Sequence, residues 1–211
     1  MELKQNNLIK SLRILPLIVV IRLENNFFNI SQSRENLLLK IEKLFNYGLK
    51  NIEIGWDPNP EWLNLILEIK MKFNSINIGV ASITSIQSLE KIRTLDLNYS
   101  MSPFFNKDIH IKAIKYNQLL IPGISNIENF KEAINLGYKI VKIYPASKLG
   151  INFIKKLQDF KKKDIFFIGA GGIKSKNIKK LLDIGYDALV IGKELRNQTP
   201  DKDLEKWLKD Y

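Results

Sequence analysis

Cysteine is absent from this 211-residue chain, and histidine occurs once, at His110. Without thiols there is no disulfide and no thiolate metal site, and a reducing compartment is the natural setting, so a cytoplasmic location is expected. One imidazole without thiolate partners cannot assemble a metal cluster, so no metal is expected. Long apolar runs are missing as well. The most apolar stretch, "ILPLIVVI" (Ile14–Ile21), is short, contains Pro16, is closed by Arg22 and has no small-residue cleavage site after it. It falls far below the length of a bilayer span and does not read as a secretion signal. The "NQT" triplet, Asn197 to Thr199, therefore carries no weight as a glycosylation site. No linker, low-complexity tract or second domain stands out, and residues 1–211 read as one domain with one sizeable core.

Positive charge, by contrast, is in excess: 33 Lys and Arg face 22 Asp and Glu, a formal net charge of +11. A basic chain can serve nucleic acid or an anionic membrane. Here the lysines are spread over many helical stretches, and no nucleic-acid-reading motif accompanies them, so neither nucleic acid nor membrane is expected as a partner. The field still favours anionic metabolites. Hydrophobic residues make up 45% and charged residues 26% of the chain, as in ordinary globular proteins.

Short β-branched runs alternate with amphipathic stretches eight times. The runs are "LPLIVVIRL", "NIEIGW", "INIGVASI", "NYSMSP", "LLIPGIS", "KIVKIYPA", "DIFFIGAGG" and "DALVIGK". Between them, "SRENLLLKIEKLFNYG" sets Leu37, Ile41, Leu44 and Phe45 on one helical stripe and stops at Gly48. "NIENFKEAINLG" and "SKNIKKLLDIG" repeat the design, each opening on a polar cap and ending in glycine. Near-continuous apolar strands, each followed by a helix, predict parallel pairing under a helical cover. Eight such units in this length predict a (β/α)8 barrel, with "MELKQNNLIKSL" as a short extra N-terminal helix and "DKDLEKWLKDY" as the last one. An open doubly wound sheet is the alternative, because periodicity does not prove closure.

In a parallel barrel, chemistry collects at the carboxyl ends of the strands, and four anomalies lie there. Lys142 interrupts "KIVKIYPA"; an alternating pleat sets it on one face with Ile140 and Tyr144. Burial lowers an amine's pKa and makes it a nucleophile suited to a Schiff base. A lysine snorkelling from the strand end, or half of a structural ion pair, is the bland alternative. Glu53 sits between Ile52 and Ile54, where an apolar side chain would pack at lower cost. A buried ion pair seldom stabilises over apolar packing, so an acid and an amine sharing one barrel are better explained by function, the acid moving protons. Arg22 closes the first strand, either gripping a carboxylate or simply opening a surface loop. "IGAGGIKSKN", with Ser175 as cap, either offers backbone N–H groups to an anion or makes a tight turn. It is no dinucleotide fingerprint, since after Gly169 and Gly171 the third glycine would fall at Lys174. His110 reads as packed or exposed rather than catalytic, and Trp62, Phe73 and Trp207 read as packing.

These segments together resemble the class I 2-keto-3-deoxy-6-phosphogluconate (KDPG) / 4-hydroxy-2-oxoglutarate (KHG) aldolase family, from about Ile14 to Ile191. "VVIR", "NIEIGW", "IGVAS", "YSMSP", "LLIPGIS", "VKIYPAS" and "GAGGI" stand in the family's order, "PGIS" and "KIYPAS" being the most specific. The resemblance implies Lys142 as the imine-forming lysine and Glu53 as the acid/base. It implies Arg22 and Ser82 at the pyruvate carboxylate, Ser82 replacing the family's usual threonine, with Pro103 and Pro122 lining the pocket. Gly171, Gly172 and Lys193 fall at the substrate's tail. The implied activity is a lyase that splits a 2-keto acid, phosphorylated or not, to pyruvate and an aldehyde, with no cofactor and a homotrimeric assembly. Departures lie at the tail end: Ala170 replaces a threonine, Lys193 and Glu194 replace a small residue or serine, Phe104 is bulkier than usual, and Asp57 stands where some members have arginine or threonine. An acid at position 57 would disfavour a second carboxylate on the substrate. Two other functions fit the residues less well: a phosphate-binding barrel isomerase or synthase centred on the glycine turn, and a non-catalytic basic binding protein.

Overall fold

The computed structural model describes residues 1–24, 26–29, 32–158, 160, 164–192 and 202–211. Every apolar run of the sequence becomes a strand in one parallel sheet. The strands are β1 (Leu17–Ile21), β2 (Asn51–Gly55), β3 (Asn77–Ala81), β4 (Tyr99–Met101), β5 (Leu120–Ile121), β6 (Gly123–Ile124), β7 (Ile140–Ile143), β8 (Phe166–Ala170) and β9 (Ala188–Ile191). Their order is β5-β4-β3-β2-β1-β9-β8-β7-β6. The expected fifth strand, "LLIPGIS", is split, because Pro122 has no N–H to give the ladder. β5 pairs with β4, β6 pairs with β7, and Pro122 joins them, so the ring of a (β/α)8 barrel comes round on itself there. The open-sheet alternative is thereby excluded.

Helices cover the outside. After α1 (Glu2–Ile14) come α2 (Ser33–Asn46), α3 (Glu61–Lys72), α4 (Ile86–Ile92), α5 (Lys107–Lys115), α6 (Ile127–Asn135), α7 (Ala146–Gln158), α8 (Ile178–Ile184) and α9 (Lys202–Asp210). On α2 the stripe Leu37, Ile41 and Leu44 is buried, with Phe45 half-buried beside it. Asn106 and Asn126 cap α5 and α6 by accepting backbone N–H groups from Ile109 and Asn129. Ser175 does not occupy the expected cap position: it opens the short turn Ser175–Asn177, and α8 starts only at Ile178, after Asn177.

α1 closes the amino end of the barrel, which leaves the carboxyl end for the cleft. Gln5, buried beneath it, donates to the Gly137 carbonyl at 3.1 Å and accepts the Lys139 N–H at 2.7 Å. The Ser11 hydroxyl donates to Asn51 Oδ1, and the Asn77 amide donates to both. Most polar groups hidden at this end thus meet one another, as burial demands, although Asn51 Nδ2 is left without a partner among the described residues.

Candidate active site

Glu53 lies in the middle of β2 and Lys142 near the end of β7. Counting β5 and β6 as one place, β2 and β7 stand four places apart around the ring in either direction. The two side chains therefore face each other across the lumen. Both are buried, Glu53 2% and Lys142 7% exposed. They line one cleft of about 250 Å³, with Arg22, Ser82, Pro103, Tyr144 and the 170–173 turn around its mouth. A second cavity of about 450 Å³ opens at the amino end near Arg13, Pro16, Phe166 and Tyr186, but no lysine among the described residues lines it.

Below the acid, the barrel is filled by an aromatic ring. A Cβ on Gly79, the β3 residue in register with Glu53, would stand 2.4 Å from the Tyr99 ring. Glycine is therefore the residue that lets Tyr99 occupy the lumen. The Tyr99 hydroxyl donates to the Ile52 carbonyl at 3.4 Å, which leaves Glu53 on an apolar floor. Burial pushes the Glu53 carboxyl up to about 7, against the pull of Lys142 and Arg22. Burial likewise pushes the Lys142 ammonium down to about 8, Glu53 opposing and Arg22 assisting. One carboxylate oxygen, Glu53 Oε1, is buried with no hydrogen-bond partner. Each group is thus near the balance between charged and neutral forms, the condition that acid, base and nucleophile roles require.

Arg22 extends from the end of β1 and donates from Nη1 to Ser82 Oγ at 3.0 Å. Ser82 follows β3 in the left-handed region, with φ of +69°, uncommon for a residue bearing a side chain. The guanidinium and the hydroxyl thus form one polar corner of the cleft. At its far end, Gly171 and Gly172 also have positive φ, +90° and +72°. Side chains at either would be obstructed: a Cβ on Gly171 would lie 2.8 Å from the Tyr144 ring, and one on Gly172 would lie 2.2 Å from Ser147 Oγ. Bare backbone therefore faces the opening there, as in an anion-binding nest.

Most of the site residues legible in the sequence come together: Lys142, Glu53, Arg22, Ser82, Pro103, Gly171 and Gly172 all line the cleft. Pro122 does not. It is absent from the lining, and its carbonyl accepts the Lys142 N–H at 2.9 Å, which ties the β5–β6 junction to β7. Lys193 and Glu194 lie outside the described residues. Asp57 turns back on its own loop, accepting the Asn59 N–H at 2.8 Å, and Phe104 is 47% exposed away from the cleft lining. Tyr144 was passed over as a site residue although its place on the pleat of Lys142 was plain from the sequence; its ring lies 5.3 Å from Nζ.

His110 is packed, as its helical setting suggested, and fully buried. Its Nδ1 lies 2.7 Å from the Asn106 carbonyl oxygen, which fixes the proton there and leaves Nε2 as an acceptor 3.3 Å from the Ser102 hydroxyl, whose single proton also has the Ile121 carbonyl at 3.3 Å. Ser102 Oγ also accepts the Gly123 N–H. The imidazole is stacked on Phe105, and burial pushes it down to about 4.

The architecture and cleft define a parallel (β/α)8 barrel with a lysine–carboxylate pair at its carboxyl end. The chain belongs to the KDPG and KHG aldolase family, whose family model matches residues 6–207. Among curated relatives, the 2-dehydro-3-deoxy-6-phosphogalactonate aldolase of Escherichia coli (strain K12) is 21% identical over 182 residues, 86% of this chain and 84% of its own length. The fold is shared with the 2-keto-3-deoxy-6-phosphogluconate aldolase of Zymomonas mobilis ZM4 solved with 3-phosphoglycerate (TM-score 0.78, 20% identity, 96% of this chain and 93% of that one). It is shared too with the KDPG aldolase of Legionella pneumophila, which holds pyruvate as a covalent carbinolamine (TM-score 0.74, 21% identity, 92% and 87%).

Proposed function

We propose that the protein is a Schiff-base aldolase that cleaves a KDPG-like or other 4-hydroxy-2-oxo acid to pyruvate and an aldehyde, glyceraldehyde 3-phosphate or glyoxylate. The observation that carries this reading is the burial of Lys142 and Glu53 in one cleft, the amine held toward neutrality and the acid toward protonation. Neutral Lys142 attacks the C2 carbonyl, and loss of water from the carbinolamine gives a protonated imine. Glu53 takes the proton of the C4 hydroxyl, directly or through water. The C3–C4 bond breaks, its electrons pass into the imine to form an enamine, and the aldehyde leaves. Protonation at C3 returns the imine, and water releases pyruvate. Arg22 and Ser82 hold the substrate carboxylate through charge-assisted hydrogen bonds. The Gly171–Gly172 turn receives the tail.

Pyruvate with borohydride, followed by peptide mapping, tests the reading. A reduced adduct on Lys142 is expected, forming faster as pH rises through about 7 to 8, because only the neutral amine attacks. Folded protein without an adduct would turn attention to the glycine turn and a phosphate-binding isomerase or synthase.

A further inference from the structure

Among the described residues that line the cleft, Tyr144 is the polar side chain to which the mechanism above gives no task. Its ring stands between the two ends of the cleft: Lys142 Nζ lies 5.3 Å from its centroid, and the Gly171 backbone packs against its Cδ2–Cε2 edge. Pro145 Cα lies 3.1 Å from the same point beside Gly171, so the ring is wedged against backbone that has no room to give. The hydroxyl is carried on Cζ, next to that edge, and meets no protein hydrogen-bond partner among the described residues. A substrate bound through C2 at Nζ, with its far end at the glycine turn, has to pass this ring. Around it the lining is apolar or bare: Val20, Ala170, Ile173 and Val190, with Gly171 and Gly172. Among the described residues the phenol is therefore the side-chain donor available midway along the path.

We propose that Tyr144 is a specificity-determining residue whose hydroxyl hydrogen-bonds an oxygen carried on C5 of the substrate, whether hydroxyl or carboxylate. This rests on the aldolase reading. The ring itself serves both kinds of substrate, since its face is presented to the cationic imine nitrogen whatever the tail. Selectivity resides in the oxygen.

Tyr144→Phe keeps the ring and its contact with Gly171 and removes only that oxygen. Cleavage of 2-keto-3-deoxygluconate or its 6-phosphate, which carry a C5 hydroxyl, would be compared with cleavage of 4-hydroxy-2-oxopentanoate, whose C5 is a methyl group. The expected result is a fall of about tenfold in kcat/KM for the first kind and less than about twofold for the second, the size of one lost hydrogen bond. Equal losses on both, or no loss on either, would overturn the assignment. Pyruvate trapping on Lys142 is run in parallel on wild type and variant. An adduct in both isolates the Tyr144 question, whereas its absence in wild type strikes the aldolase reading instead.

Discussion

His110 and Lys142 are both hidden from water, one 0% and the other 7% exposed, but their surroundings treat them differently. Around His110 the polar groups meet one another: the ring donates to the Asn106 carbonyl, its Nε2 faces the Ser102 hydroxyl, and Ser102 Oγ accepts the Gly123 N–H with the Ile121 carbonyl also in reach of its proton. That pocket holds one neutral imidazole in one orientation. Across the cleft, Lys142 and Glu53 form no ion pair with each other or with anything else among the described residues, and Glu53 Oε1 meets nothing. A satisfied buried network rigidifies, whereas an unsatisfied one is a cost that persists where chemistry needs the groups free. An orphaned polar atom alone does not mark the site, since Asn51 Nδ2, Gln118 Oε1 and Tyr138 Oη are also buried without a partner among the described residues; what sets the cleft apart is an orphaned carboxylate facing a buried amine.

Removing the unsatisfied pair is the largest test of this contrast. Lys142→Met is expected to lower turnover on the order of 10⁴-fold or more, as loss of a nucleophile does. Glu53→Gln should lower cleavage by about 10²- to 10⁴-fold while leaving the pyruvate adduct intact. Neither should harm the fold. The Lys142 ammonium is held down to about 8, so its stability contribution exists only above the unfolded pKa and is lost as pH falls through 8. The Glu53 carboxyl is held up to about 7, so its contribution exists only at low pH and is lost as pH rises through 7. Near neutrality both burials therefore oppose folding, and Tm should stay within about 3 °C of wild type or rise. Either variant cleaving substrate at close to the wild-type rate, or unfolding, would remove the distinction.

His110 gives the next effect, on stability rather than rate. Unfolded, it titrates near its ordinary 6.5; folded, burial holds it down to about 4. The stability it contributes is whole above pH 6.5 and drains away as pH falls toward 4, up to roughly 3 kcal/mol. Urea unfolding at pH 7 and pH 4.5 should show wild type losing roughly 2 kcal/mol more than His110→Leu. Parallel losses would mean that the imidazole takes up its proton without leaving the pocket.

The sequence announces polar groups that break an apolar run, and it does so for Lys142 and Glu53 because strands there are buried on both faces. It is silent on what closes in space. Pro122 was expected on the cleft wall; nothing in "LLIPGIS" shows that its carbonyl, not its ring, meets β7. The strands were legible but too long, since residues such as Gly171 and Gly172 leave extended geometry while still reading as part of the run. The Ser175 cap failed for a similar reason: a suitable side chain was present, but the backbone made a short turn before α8. His110 could be placed on α5 by periodicity, whereas its bond to Ser102 depends on how α5 lies against β4.

Asp57 brings the contrast to its finest point. The expectation was that an acid at the end of β2 would disfavour a second carboxylate on the substrate. Its Oδ1 accepts the Asn59 N–H at 2.8 Å, an Asx turn that directs this oxygen to its own loop. In this respect it resembles the satisfied groups around His110 more than Glu53, four residues before it on the same strand and loop. Asp57→Asn retains an acceptor oxygen of the same shape, so the turn survives and the cleft keeps its lining. The ratio of kcat/KM for 4-hydroxy-2-oxoglutarate to that for 2-keto-3-deoxygluconate should change by less than about twofold. A swing of about tenfold toward the dicarboxylate would show that the Asp57 charge does reach the substrate, and that a hydrogen bond to its own loop is no sign of a group withdrawn from function.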